Sequence, residues 1–348
     1  MKKKTKKAQL EVSFNWVFVL IAGAAILFFF LRVINTEIDT TDRFTETRAT
    51  ARMNTILTTI GQSPDMVNTN YNLNYEINFE CTIEGHTYGI RQTNQQIPTQ
   101  IVYSPKTIGN SKLIYWTQII NAPYPVDTAL YLTDENTKYV FLKSNTPESN
   151  IQHYYNLFPE ELSKEFIEIQ DFKTRGDEDY RQYILITTDE NVAEGWFDFS
   201  EHRQIAQKIN YVIQIKETPN KILFRELKPG FAALQTESDS EQREYFLEED
   251  VIGAIITGNP QLYDCARDNA LNQIRIATDI NLDRIKLIQQ EYEESSNCYN
   301  RFGIATQNYF KAMSNATQTK DYDELKDKYS DIKSLNELLI QTSCITIY

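Results

Sequence analysis

The chain has 348 residues, 35 of them basic and 48 acidic, for a formal net charge of −13. That balance disfavours nucleic acid and anionic lipid surfaces as partners of its acidic part. With 21 Tyr, only 11 Gly, no low-complexity tract and no fixed-period repeat, the composition is that of a folded chain rather than a disordered one.

The charge is uneven. Residues 1–34 hold six basic residues and one acidic residue, leaving 29 basic against 47 acidic, a net of −18, in the remainder. Lys2, Lys3, Lys4, Lys6 and Lys7 precede the uncharged run Val12–Leu31. Twenty residues in a helix reach about 30 Å, the thickness of a bilayer's hydrocarbon core. Trp16 lies near one expected interface, Phe28, Phe29 and Phe30 near the other, and Arg32 can snorkel to the headgroups. The expectation is a cytoplasmic basic tail over 1–11 and a transmembrane helix over 12–34. By the positive-inside rule, the bulk of the chain is then extracellular. A cleaved secretory signal fits less well, because the apolar run is too long and its small residues Ala22, Gly23, Ala24 and Ala25 lie mid-run. The junction Lys6-Lys7-Ala8-Gln9 with Glu11 resembles the class III signals of archaeal type IV pilin-like proteins. The resemblance implies processing between Ala8 and Gln9 and packing of the helix in a filament. Such signals often carry Glu five residues into the mature chain, where this chain has Ser13.

A helical pattern continues through Val33, Ile34, Ile38, Met53, Ile56, Leu57 and Ile60 until Gly61 and Ser63-Pro64, which predicts a stalk helix over 35–65. Leu73, Tyr75, Ile77, Phe79, Cys81 and Ile83 alternate with polar residues, the mark of a half-buried antiparallel strand. Thr87–Gln92 pairs back as a hairpin, and further strands are expected at Gln100–Tyr103, Lys112–Ile119 and Tyr139–Leu142. This antiparallel β region spans 66–146. Residues 147–257 read as a small α/β region, with a short helix at Glu160–Phe166 opened by Pro159 and another at Glu201–Ile209. Its strands are Ile167–Ile169, Tyr183–Ile186, Tyr211–Ile215 and Ile222–Leu227, with a buried apolar segment at Val251–Ile256. From 258 to 348 the period is helical: one helix opens at Pro260, a second carries Cys298 to Met313, and a third runs from Tyr322 to Ile340. The fold class is therefore α+β with a C-terminal three-helix bundle.

All four cysteines fall on the expected outer side, where two disulfides are the default. Cys265 and Cys298 each begin a helix of an antiparallel hairpin, so they lie roughly 40 Å apart, whereas a disulfide needs Cα atoms within about 7 Å. The third helix returns Cys344 to the Cys298 end. The pairing expected is Cys298–Cys344 and, by elimination, Cys81–Cys265.

No catalytic or metal-binding constellation stands out. His86, His153 and His202 are isolated, no CxxC pair exists for zinc, and no Walker loop, GxGxxG or GxSxG occurs. No cofactor is therefore expected. Asp189 and Glu190 end an apolar strand and form the one carboxylate pair placed where α/β sheets hold ligands. Asp279 and Asp283 sit one helical turn apart beside Arg275 and Lys286, a solvated face. Asn315 heads the one permitted N-x-[ST] sequon.

The stretches KKAQLEVSFNWVFVLIAGAAILFFF, VIGAIITGNPQLYDCARDNALNQI and SCITIY resemble segments of uncharacterised membrane-anchored proteins of small-genome archaea. The resemblance implies an archaeal cell surface and an intact anchor, and it carries no activity across. Three functions remain in play: an anchored binding or cell-envelope structural protein without catalysis, a pilin-like filament subunit, and a tethered enzyme with a carboxylate site. Expected partners are membrane lipid through the N-terminal helix, and a cell-envelope protein or a second copy of the chain.

Overall fold

The computed structural model describes residues 20–32, 47–60, 67–82, 85–90, 93–97, 100–143, 150–174, 180–189, 196–231 and 233–348. The chain divides into two units, Met1–Asn54 and Thr55–Tyr348. In the first, residues 20–32 and 47–54 are helical. Leu20, Ile21, Ile26, Leu27, Phe28, Phe29, Phe30 and Leu31 are all more than half exposed. Among the described residues no helix is long and apolar enough to cross a membrane. The thirteen residues 20–32 reach about 20 Å. The rest of the expected 12–34 span, including Trp16, lies outside the described residues, as do Ala8 and Gln9. Of the expected stalk, 47–60 is described. It is helical, with a π-helical turn at Ile56–Ile60.

The second unit is a mixed α+β body with three sheets and a C-terminal helical region. The strand expected over 71–83 is two strands, β1 (Val67–Asn72) and β2 (Ile77–Thr82), which belong to different sheets. The chain leaves β1 at Leu73, whose side chain is buried, so one alternating pattern serves two sheets. β2 joins β3 (Gly85–Ile90), β4 (Thr93–Gln96) and β6 (Thr107–Ile108) in a small sheet of order β4-β3-β2-β6. A second sheet, of order β1-β7-β8-β5, adds β5 (Ile101–Tyr103), β7 (Lys112–Asn121) and β8 (Pro125–Asp134).

The third sheet has six strands, and its centre is parallel. β9 (Thr137–Leu142) lies between β10 (Lys164–Ile167) and β11 (Gln182–Thr187), and β11 pairs parallel with β12 (Ile209–Glu217). β13 (Asn220–Arg225) and β14 (Glu241–Glu244) extend it antiparallel. Helices α1 (Ile151–Leu157), α2 (Ile169–Thr174) and α3 (Arg203–Ala206) make the crossovers. Parallel strands covered on both faces need apolar side chains on both, and these have them. Tyr139, Phe141, Ile184, Ile186, Ile213 and Ile215 face one core, which also holds Ile151 and Phe158. Val140, Leu142, Tyr183, Leu185 and Val212 face the other, under Ile169, Phe172 and Ile205.

The helix expected at Glu160–Phe166 is displaced: α1 ends before Pro159, and Lys164–Ile167 is strand. Proline drives the residue before it out of the helical region, and Phe158 is extended (φ −88°, ψ 142°). The expected 201–209 helix is only the four residues of α3.

Val251–Ile256 lies in α4 (Glu248–Thr257), a helix buried in the same core as Tyr103, Tyr131 and Tyr263. Gly253 permits this close approach, because a Cβ there would collide with the Tyr103 ring. α5 (Pro260–Gln290) follows, then α6 (Asn297–Arg301), α7 (Ile304–Thr319) and α8 (Tyr322–Gln341). The expected single helix from Cys298 to Met313 is broken at Gly303 into α6 and α7. The C-terminal core is formed by Leu271, Ile274, Ile285, Phe310, Met313, Leu325, Ile332 and Leu339. Tyr263, Ala266 and Ala270 at the start of α5 belong instead to the core shared with the sheets, which ties the helical region to the β layers.

All four cysteines are bonded: Cys81 to Cys265 (Cα–Cα 5.8 Å) and Cys298 to Cys344 (5.6 Å), the connectivity that helix order selected.

Candidate binding cleft

The α4–α5 elbow borders a concavity of the second unit. Gly258 closes α4 in the left-handed region (φ 51°), and its N–H donates to the Ala254 carbonyl at 3.0 Å. That conformation costs glycine least. Asn259 then turns extended, and its Oδ1 accepts from the Leu262 N–H at 3.0 Å, capping α5 ahead of Pro260. The cap uses the carboxamide oxygen and leaves the NH2 donors to the concavity.

Opposite the elbow lie the first residues of two parallel strands, Gln182 of β11 and Asn210 and Tyr211 of β12. Glu226 and Leu227 follow β13, and Phe231 completes the rim. Together with Lys106 they line a cavity of about 330 Å³. Burial, and then Glu226 beside it, push the Tyr211 phenol up to about 12. Phe231 sits at φ 59°, an outlier for an aromatic residue. Two bonds hold it there: its N–H donates to the Lys228 carbonyl at 2.9 Å, and its own carbonyl accepts from the Phe199 N–H at 2.7 Å.

Next to Lys106 in the chain, Thr107 is held by a partly buried ion pair whose carboxylate, Asp134, is fully buried. Arg181 donates to Asp134 Oδ2 at 2.7 Å and to the Thr107 carbonyl at 2.6 Å, while the Gly109 N–H donates to the same Asp134 oxygen at 2.8 Å. Beyond Lys106 and Asn259 the concavity continues into a second cavity of about 230 Å³, lined by Phe79, Glu80, Cys81, Gln261 and Leu262. The Cys81–Cys265 disulfide forms part of this end.

Among the described residues each cavity is lined by a single carboxylate, Glu226 in the first and Glu80 in the second, and by no histidine; the groups present offer hydrogen bonds, the Lys106 charge and apolar contact. Among the described residues no group of three or more His, Cys, Asp or Glu could hold a metal ion. Of the residues lining the cleft, Cys81 alone is a candidate site residue from the sequence, as half of a disulfide. The cleft's lining comes from six separated segments, and no local spacing announces them.

The carboxylate site considered from the sequence lies elsewhere. Asp189 is buried; its N–H donates to Thr187 Oγ1 at 3.2 Å and its carbonyl accepts from Gln214 Nε2 at 2.7 Å. Gln214 Oε1 in turn accepts from Arg225 at 2.8 Å. Glu190 lies outside the described residues. Asp279 accepts from Arg275 and Ser314, and Asp283 from Lys286. Asn315 is exposed in mid-α7, but Thr317 of its sequon is buried and donates to the Ser314 carbonyl at 2.6 Å.

The three histidines are dispersed. His86 is buried in β3 beside Phe79 (6.1 Å), and burial lowers it to about 4. His153 meets Glu248 at 3.1 Å on the surface. His202 lines a third cavity of about 330 Å³ with Gln170, Lys173, Asp198, Ser200 and Glu201. There burial lowers the Lys173 ammonium while Asp198 raises it.

No known family, no curated protein and no solved structure matches this chain.

Proposed function

We propose that the chain is a single-pass membrane-anchored extracytoplasmic protein with a non-catalytic binding role at the cell envelope. The observation that carries the anchor is the helix at 20–32: eight large apolar side chains around it, each more than half exposed. A helix apolar all round belongs in a protein core or in lipid, and the uncharged run upstream to Val12 extends it toward bilayer length. The lysine cluster before it supports a cytoplasmic N-terminus. Two disulfides that use every cysteine support an oxidising compartment for the rest. The elbow cleft, which holds polar groups but no nucleophile–base pair, supports binding rather than bond-making.

The test is alkaline extraction of membranes from cells expressing the full chain, with thiol alkylation and external proteolysis of intact cells. The expected outcome is retention in the membrane, alkylation of all four cysteines only after reduction, and digestion of the Thr55–Tyr348 unit from outside. Release by alkaline extraction, or labelling of unreduced thiols, overturns the reading. The Lys7-Ala8-Gln9 junction favours one alternative, the pilin-like filament subunit. A mature N-terminus at Gln9 by mass spectrometry replaces the permanent anchor with that alternative.

A further inference from the structure

We propose that the elbow cleft binds a neutral oligosaccharide, with Gln182, Asn210 and Asn259 hydrogen bonding to its hydroxyls. The binding reading above supplies only the place where such a ligand is met. The chemistry stands on the cleft itself.

A sugar hydroxyl both donates and accepts, and a carboxamide does the same. Three carboxamides converge on the first cavity. Asn259 spends its oxygen on the α5 cap. The side chains of Gln182 and Asn210 make no hydrogen bond among the described residues, so they bring both donor and acceptor. Beside them lies apolar surface for the C–H face of a ring: the half-buried Tyr211, with Ile209, Leu227 and Phe231. Phe231 holds a positive φ, backbone strain of a kind that clusters at ligand clamps.

Charge selects a neutral ligand. Lys106 and Glu226 offset each other within the first cavity, in a chain whose net charge of −13 repels anionic polymers. Length selects more than one sugar unit, because the second cavity continues past Lys106 and Asn259. Glycoside cleavage uses a carboxylate pair flanking one bond, at about 5–10 Å; among the described residues Glu226 lines the first cavity and Glu80 the second, and no second carboxylate shares either.

The experiment is ligand-observed saturation-transfer NMR and calorimetric titration of the full chain in detergent. The probes are neutral tetrasaccharides of glucose, mannose, galactose and N-acetylglucosamine, an oligogalacturonate and a mixed peptide pool. Binding of at least one neutral tetrasaccharide is expected. Asn210→Ala and Gln182→Ala should each weaken it about five- to tenfold, the loss of one hydrogen bond. Glu201→Ala in the third cavity should leave it unchanged. Both cleft positions are at the surface, so unaltered thermal unfolding certifies the variants. No neutral saccharide bound at about 10 mM, binding of the galacturonate or peptides alone, or binding indifferent to both cleft substitutions overturns the proposal. None of these results bears on membrane extraction or thiol state, so the anchor reading fails or survives separately.

Discussion

The six-stranded sheet and the small β4-β3-β2-β6 sheet solve the same problem in opposite ways. The large sheet is apolar on both faces at its parallel centre, and every residue of β9 is buried. The small sheet buries one short apolar row, Ile77, Phe79, Tyr88 and Ile90, together with His86, and leaves Glu80, Cys81 and Thr82 exposed. It is tied down by the Cys81–Cys265 bond and by the Arg181–Thr107 contact. Burial stabilises the first; cross-links position the second. Where the core is thin, a covalent tie across 184 residues of sequence does what packing does elsewhere.

Four experiments break or sharpen that contrast. Phe141→Ala in β9 removes a fully buried ring from the shared core, and should cost about 3–5 kcal/mol in a denaturant melt. A cost under about 1 kcal/mol would mean that the large sheet is not the main seat of stability. Replacing Cys81 and Cys265 together by Ala should cost about 2–5 kcal/mol. Hydrogen exchange should accelerate in β2, β3 and β4 first, while β9, β11 and β12 stay protected. Equal loss in both sheets would erase the distinction.

The third experiment is a pH titration of stability. His86 falls from 6.5 to about 4 on folding. Between those values the unfolded chain binds more protons, so its contribution is intact above pH 6.5 and is lost as pH falls toward 4. The loss is on the order of 3 kcal/mol. The difference between the wild type and His86→Leu should show this slope; parallel pH profiles would remove His86 from the account. The smallest effect is at the elbow. Asn259→Ala deletes the α5 cap and should lower stability by about 1 kcal/mol, without disturbing exchange in either sheet.

Periodicity found most of the strands and the long helices because their side chains meet one or two flat apolar surfaces, and alternation records that contact. Tyr183–Ile186, Tyr211–Ile215 and Ile222–Leu227 are legible instead as short, largely apolar runs, because both of their faces are covered. The misplacement around Pro159 came from reading proline as a helix opener, when its effect on Phe158 was the stronger one. The 71–83 pattern misled because alternation reports a wet face and a dry face, but not which sheet supplies the dry one.

From the sequence alone came the apolar run ahead of residue 32, the acidic remainder, the mixed α+β class and the order of the C-terminal helices. These follow from local periodicity and from helix length, which needs no knowledge of neighbours. Helix order was enough to select both disulfides, since a rigid rod of known rise places its ends. The tertiary structure decided the elbow cleft, the inter-sheet ion pair Arg181–Asp134 and the burial of His86. The cleft and the ion pair join side chains that crossovers and sheet stacking bring together from distant segments, and contacts made across such loops leave no period in the chain; His86 is buried by what covers its hairpin, which the hairpin's own sequence does not record.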